Sequence, residues 1–396
     1  MKRIIVVLNF PVQLILALLA LLPTLLWVPT VMAHELWVLT PEQATQWNAR
    51  PKPEIFAQFN VTSLSIYLLT ALCLVGCFLL YRRTASSTLV SQLQARLTSY
   101  GDYAPLALRI ALFIMLGMAS LGLAPRLGTE IMQSPVLGAP DLELRLLPGN
   151  WGWVAGIEGV LAVCLLLGIY VRGAAATLLG LGLLGFYLFG QAMCAYIGLV
   201  GAAAVYLLFQ GAGPYAASVP SLPGTAGLSA WFAGQPRERV QWLLRVLVGA
   251  DVLYLALAYK FAQPNLMLGV IDVHHVPTLG LEPEAFVLLA AVVETLAGVF
   301  ILTGIMIRPV AVGLFVAFTF FSVVLWEGVF SHIIMYGLLI PLITNGAGQW
   351  CARLQTKARQ HAEACNFATE RHRIFRMGSW EISIGRLHPS RESTIS

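Results

Sequence analysis

"ETLAGVFILTGIMIR" (residues 294–308) and "EGVLAVCLLLGIYVR" (158–172) are apolar runs that share one skeleton. Each opens with Glu, reaches Gly ten residues on and closes with Arg four residues later. A shift of 136 residues carries Glu158 onto Glu294, Gly168 onto Gly304 and Arg172 onto Arg308, and it also carries Arg109 onto Arg245. Four special residues holding one offset inside otherwise apolar sequence mark a duplication. Each run is most of a bilayer-spanning helix, which needs about 20 mainly apolar residues.

The composition fits that reading. Of 396 residues, 58% are hydrophobic and 11% are charged, where a soluble domain carries about 25% charged residues. The fold class is therefore an all-α integral membrane protein. The net charge of +5 belongs to topology and carries no nucleic-acid signal. The N-terminus, "MKRIIVVLNFPVQLILALLALLPTLLWVPTVMAHELW", has a basic start, a long apolar run and a small-residue site at Val31-Met32-Ala33. It reads as a signal peptide (1–33), with an uncleaved signal anchor as the alternative. An outer segment (34–61), a lone transmembrane helix (62–81) and a cytoplasmic loop (82–104) follow. Two four-helix units come next, at 105–212 and 241–346. The first is read as helices near 105–124, 151–171, 173–190 and 192–211, the second near 241–261, 284–305, 309–327 and 329–346.

Between the units, "GAGPYAASVPSLPGTAGLSAWFAGQPRER" (211–239) is a Gly/Pro/Ala-rich linker placed at 213–240, and a basic cytoplasmic tail closes the chain at 347–396. Four helices per unit is an even number, so both units enter and leave on one side and are parallel repeats. Of the 24 Lys and Arg residues, only Arg50, Lys52, Arg126, Arg145 and Lys260 fall on the outer side. The positive-inside rule then puts the C-terminus in the cytoplasm of a multi-pass protein of a bacterial-type inner membrane, its lipid bilayer the first partner.

A four-helix unit with Arg early in its first helix ("LLRVLVGADVLYLALAYK", 243–260), the Glu-Gly-Arg helix second and a Gly-containing end after the fourth ("LLIPLITNGAG", 338–348) resembles the DoxX-like membrane proteins. These include the DoxD-type subunit of thiosulfate:quinone oxidoreductase. The resemblance covers about 105–212 and 241–348 and leaves out the N-terminal 100 residues and the tail. The first unit lacks a basic residue matching Lys260 and has Gln191 where the second has Glu327. The resemblance implies two DoxX-like repeats, a quinone as cofactor, and a soluble or membrane redox partner.

Glu158 and Glu294 lie about 14 residues, or roughly 21 Å at 1.5 Å per residue, from the arginine ends of their helices. An ionised carboxylate there must be paired or protonated. One reading makes Glu294, with Glu158 as its counterpart, a proton relay or quinone contact; the other makes both structural. Glu327, His332 and Tyr336 on the following hairpin are expected within reach of Glu294. Arg172 and Arg308 end helices on the cytoplasmic side, where a cation suits the helix dipole. Arg109 and Arg245 either pair internally or extend to the headgroups, and extension is the expectation.

His34, His274, His275 and His332 share the outer side, and cleavage after Ala33 would make His34 the mature N-terminus. Such nitrogen ligands suit copper or zinc, although no ligand spacing supports a site, and scattered loop histidines are the plainer reading. Cys73 and Cys77, four apart on one helix face, read as packing residues, and no CxxC spacing occurs. No phosphate loop, dinucleotide fingerprint, GxSxG or HExxH motif is present. Two function classes remain: the membrane subunit of a quinone-linked oxidoreductase system, and a non-enzymatic scaffold, assembly factor or metal or small-solute handling protein using the outer histidines.

Overall fold

The computed structural model describes residues 38–348 apart from 86, 127–129, 218–223, 327–329 and 331. The signal segment, His34, Glu327 and the tail beyond Gly348 lie outside the described residues. Among those described, the chain is helical except for its turns and one short ladder pairing Pro125–Arg126 with Glu130–Ile131.

On the loop-rich face the chain forms α1 (Pro41–Asn48) and the single turn α2 (Glu54–Ala57). It then crosses as α3 (Val61–Thr84) to an arginine-rich face, where α4 (Thr88–Ser99) lies. Side chains fix these starts: Thr40 with Gln43, and Asn60 with Ser63, form reciprocal capping boxes, which satisfy helix N–H groups that have no partner within the helix. The first unit is α5 (Ala104–Ser120), α6 (Gly152–Leu167), α7 (Val171–Phe189) and α8 (Cys194–Gln210). After α9 (Ala226–Ala233), the second unit is α10 (Arg237–Leu255) with a π-helical continuation (Ala256–Phe261), α11 (Pro264–His274), α12 (Pro283–Thr303), α13 (Ile307–Val324) and α14 (Ile333–Asn345).

Among the described residues, six helical stretches are long and apolar enough to cross a membrane: Val61–Thr84, Thr88–Ser120, Val171–Gln210, Arg237–Phe261, Pro283–Thr303 and Ile307–Val324. Gly152–Leu167 and Ile333–Asn345 are apolar but shorter. The protein is thus a multi-pass helical membrane protein. A straight helix over the 40 residues of Val171–Gln210 would measure about 60 Å, twice the hydrocarbon thickness. Gly190, at φ 55°, breaks it, and α7 and α8 fold against each other.

The two units pack alike. α6 lies on α5 as α12 lies on α10, and α7 and α8 pair as α13 and α14 do. Between units, α8 packs on α10 and α14 on α5. Their turns also match. Gly168 (φ 72°) and Gly304 (φ 83°) end the second helix, and Tyr170 (φ 47°) and Met306 (φ 50°) precede the third. The left-handed region excludes most side chains but not glycine, which is why the Gly of the Glu-Gly-Arg pattern sits at a helix end. Both fourth helices finish in Gly-Ala-Gly, at 211–213 and 346–348. In the second unit α10 and α12 touch through glycines: a Cβ on Gly298 would meet the Leu253 nitrogen at 2.9 Å and the Gly249 oxygen at 3.0 Å.

Stretches read as connections are partly helical, namely α4, α9 and α11. α11 anchors the segment that precedes α3. Asn265 donates to the Arg50 carbonyl at 2.7 Å, and the Arg50 guanidinium lies over the Trp47 ring at 3.4 Å. Trp47 occupies the space that a side chain on Gly269 would need.

Candidate functional site

The second unit brings polar side chains together inside its helices. The first group starts from the π turn. The Ala262 amide donates to the Leu257 carbonyl, five residues back, at 3.0 Å. A π turn admits one extra residue and re-aims the side chains around it. Here Tyr259 is buried and Lys260, read from sequence as an outer-side cation, turns inward to an ion pair with Glu294. Both partners are more than four-fifths buried. The first unit leaves its helix at the equivalent place, with Leu121 as the C-cap of α5, and has Ala124 where Lys260 stands.

A hydrogen-bonded chain runs beside this pair, between α13 and α14. His332 Nδ1 and Ser322 Oγ are 3.2 Å apart, Ser322 Oγ and the Tyr336 hydroxyl 3.5 Å, and the Tyr336 hydroxyl donates to Thr319 Oγ1 at 3.2 Å. Phe318 stacks on the His332 ring, and Phe315 lies against Tyr336 (centroids 4.8 Å apart in each pair). Of the three residues expected near Glu294, His332 and Tyr336 meet at Ser322, while the partner of Glu294 is Lys260. Glu327 lies outside the described residues.

Glu158 sits differently. It is fully buried, with no hydrogen bond of normal geometry to either carboxyl oxygen, and only the Gly138 backbone acts on it. Its carboxyl lines a cavity of about 20 Å³ walled by Met115, Leu137, Gly138, Met193 and other apolar groups. That volume holds one water molecule. The structural reading, in which Glu158 satisfies a Ser, Thr or backbone group of a neighbouring element, has the Gly138 backbone as its candidate partner. A further carboxyl, Asp251, escaped notice inside the apolar run of α10. It is buried where α10 meets α8, and a Cβ on Gly198 would fall 2.3 Å from its Oδ1. The argument that singled out Glu294, an acid within a span, applies equally to Asp251 and would have found it.

The arginines are bound to helix ends. Arg109 is buried and does not extend to the headgroups: Nε donates to the Leu165 carbonyl (2.7 Å), Nη2 to Leu166 (3.0 Å) and Nη1 to Ala212 (2.6 Å). Arg245 likewise is buried and donates to Ala347 (2.9 Å), the same place in the second Gly-Ala-Gly. Internal pairing replaces extension because the last carbonyls of a helix lack partners and a buried guanidinium has donors to offer them. Arg172 Nε binds the Leu208 carbonyl and Arg308 Nε that of Ile343, both at 2.9 Å.

The histidines read as outer have separate uses. His274 Nε2 lies 2.6 Å from the Val38 carbonyl, tying down the segment that precedes α3. His275 is the left-handed C-cap of α11, and His332 is committed to Ser322. Among the described residues, no three His, Cys, Asp or Glu side chains group as metal ligands. Cys73 and Cys77 are exposed along α3 and unbridged. In the loop between α5 and α6, Asp141 accepts from the Tyr196 hydroxyl at 2.7 Å. Burial pushes its carboxyl up to about 7, against the opposing pull of that bond, its own backbone and Arg126.

Comparison with protein-family models, with curated proteins and with solved structures gives no match to this chain.

Proposed function

We propose that the chain is a DoxX-like protein built as two parallel four-helix repeats, acting as the membrane subunit of a quinone-linked oxidoreductase system. In this reading it sits in a bacterial-type inner membrane with its C-terminus in the cytoplasm. The repeated Glu-Gly-Arg helix and the paired Gly-Ala-Gly ends support the repeats. The observation that carries the functional reading is the Lys260–Glu294 ion pair, set on a π turn inside the second unit. A charge pair within a span is expensive and marks a working site by default.

A quinone takes up two electrons and two protons on reduction. The residues fit its polar headgroup: an ammonium that donates to a carbonyl oxygen, and a carboxylate that accepts or returns a proton. Lys260 holds the Glu294 carboxylate in place through the ion pair, and a ligand oxygen competing for the ammonium frees that carboxylate to take a proton. The electrons come from a redox partner, since the chain has no nucleotide, flavin or four-cysteine motif. Glu158, without a cation in its pocket, is the counterpart in a unit that has become mainly structural.

The test is a titration of the purified protein in detergent with a quinone analogue, comparing wild type with Glu294→Gln and Glu158→Gln. Saturable binding weakened at least about tenfold, a loss near 1.4 kcal/mol, by Glu294→Gln and little changed by Glu158→Gln is expected. A folded wild type that binds no analogue sinks the proposal.

A further inference from the structure

We propose that His332, Ser322, Tyr336 and Thr319 form a proton-conducting chain linking the loop-rich face to the lipid-facing side of the second unit. Three contacts of 3.2, 3.5 and 3.2 Å join four groups that each hold and release a proton. His332, the N-cap of α14, stands at the loop end. Thr319 is at the other end, exposed on α13, where hydrocarbon would surround it.

The first unit supplies the contrast. With the shift of 136 residues in the third helix, Thr319 and Ser322 correspond to Leu183 and Phe186. In the fourth helix, Gly211 matches Gly346 and the shift is 135, so His332 and Tyr336 correspond to Ile197 and Gly201. Every member of the chain is apolar or absent in the unit that also lacks Lys260. Packing alone needs none of these four polar groups, because the homologous hairpin packs without them.

The chain works by relay. A proton arriving at His332 Nε2 lets the Nδ1 proton pass to Ser322 Oγ. The Ser322 proton passes to the Tyr336 oxygen and the Tyr336 proton to Thr319 Oγ1, while the Thr319 proton, which rests on the Phe315 carbonyl at 2.7 Å, leaves for a lipid-borne oxygen acceptor. Each group ends with as many protons as it began, and the reverse order carries a proton out. In serving reduction of a quinone, the chain rests on the function proposed above.

Its test needs no quinone. The full-length protein is placed in nanodiscs with ¹³Cζ-labelled tyrosine, and Tyr336 is assigned by its loss in Tyr336→Phe. Exchange of the Tyr336 hydroxyl proton for deuterium is then read from the isotope shift on Cζ. Ser322→Ala and His332→Gln should each slow that exchange by roughly tenfold or more, and Thr303→Ala, which removes an exposed hydroxyl outside the chain, should leave it unchanged. An unchanged rate in folded Ser322→Ala or His332→Gln overturns the chain, as does equal slowing in Thr303→Ala. Fast, Ser322-dependent exchange in a protein that binds no quinone analogue would keep the chain and remove the redox reading.

Discussion

Lys260 and Glu294 show why one residue of a buried pair cannot be judged alone. Removing a single partner strands a charge where water does not reach, at about 3–5 kcal/mol, whereas replacing both by apolar groups is often nearly neutral. Lys260→Met should therefore lower thermal stability in detergent by about 3 kcal/mol unless Glu294 takes up a proton, and Lys260→Met/Glu294→Leu should recover most of the loss. The double-mutant cycle measures the coupling, and strictly additive losses would show that the two side chains do not act as a pair. The same reasoning separates Arg109 from Arg172. Arg109 is wholly buried and holds the end of α6 and the turn after α8, while Arg172 holds the end of one helix at a partly buried site.

Among the elements, the spans were the legible part, because twenty apolar residues in a row announce themselves whatever they pack against. Six such stretches stand in the structure. The fate of the arginines was not legible: Arg109 binds carbonyls 56 and 103 residues away, and a carbonyl looks the same at every position of a sequence. Nor could periodicity show the π turn, since one extra residue at a helix end leaves hydropathy unchanged. α11 was hidden for another reason. Its 11 residues, "PNLMLGVIDVH", are too short to span and gain their partner only when Trp47 folds over Gly269. The loop between α5 and α6 is a further element set by a distant contact, Tyr196 on α8 holding Asp141. An unfolded Asp titrates near 4 and this one at about 7, so the folded state binds the extra proton between those values. Stability contributed by the protonated form is complete below pH 4, falls as pH rises, and is lost above 7. Melting temperature of the wild type should drop by a few degrees over that window relative to Asp141→Asn, and parallel profiles would place Asp141 in water.

At the scale of the whole molecule, the two units depend on each other through surfaces and not through the connection between them. α8 packs on α10 and α14 on α5, so the first helix of each unit is covered by the last helix of the other. The largest cluster of buried residues runs through both units and includes Leu108 and Leu112 of α5, Leu207 of α8, Leu244 of α10 and Leu338 of α14. The two inter-unit contacts are chemically unequal. One carries Asp251 against Gly198; the other sets Gly337 against Leu108 and Ala111 with only apolar neighbours. Helices meeting in lipid associate by close packing of small residues, and the glycine at each contact supplies that closeness. A tether is then unnecessary once both units are in the membrane. Gly224, at φ 79° with nothing within 4 Å of a Cβ there, is a place where the backbone can be opened without disturbing packing. A protease site inserted after Gly224 and cut in mild detergent should leave the two pieces migrating together on size exclusion, with thermal stability close to that of the uncut chain. Separation of the pieces would mean that the linker, and not the shared core, holds the halves together. Gly337→Leu, which forces a side chain into Leu108 and Ala111, should convert the cut protein from joined to separable while the uncut chain still folds.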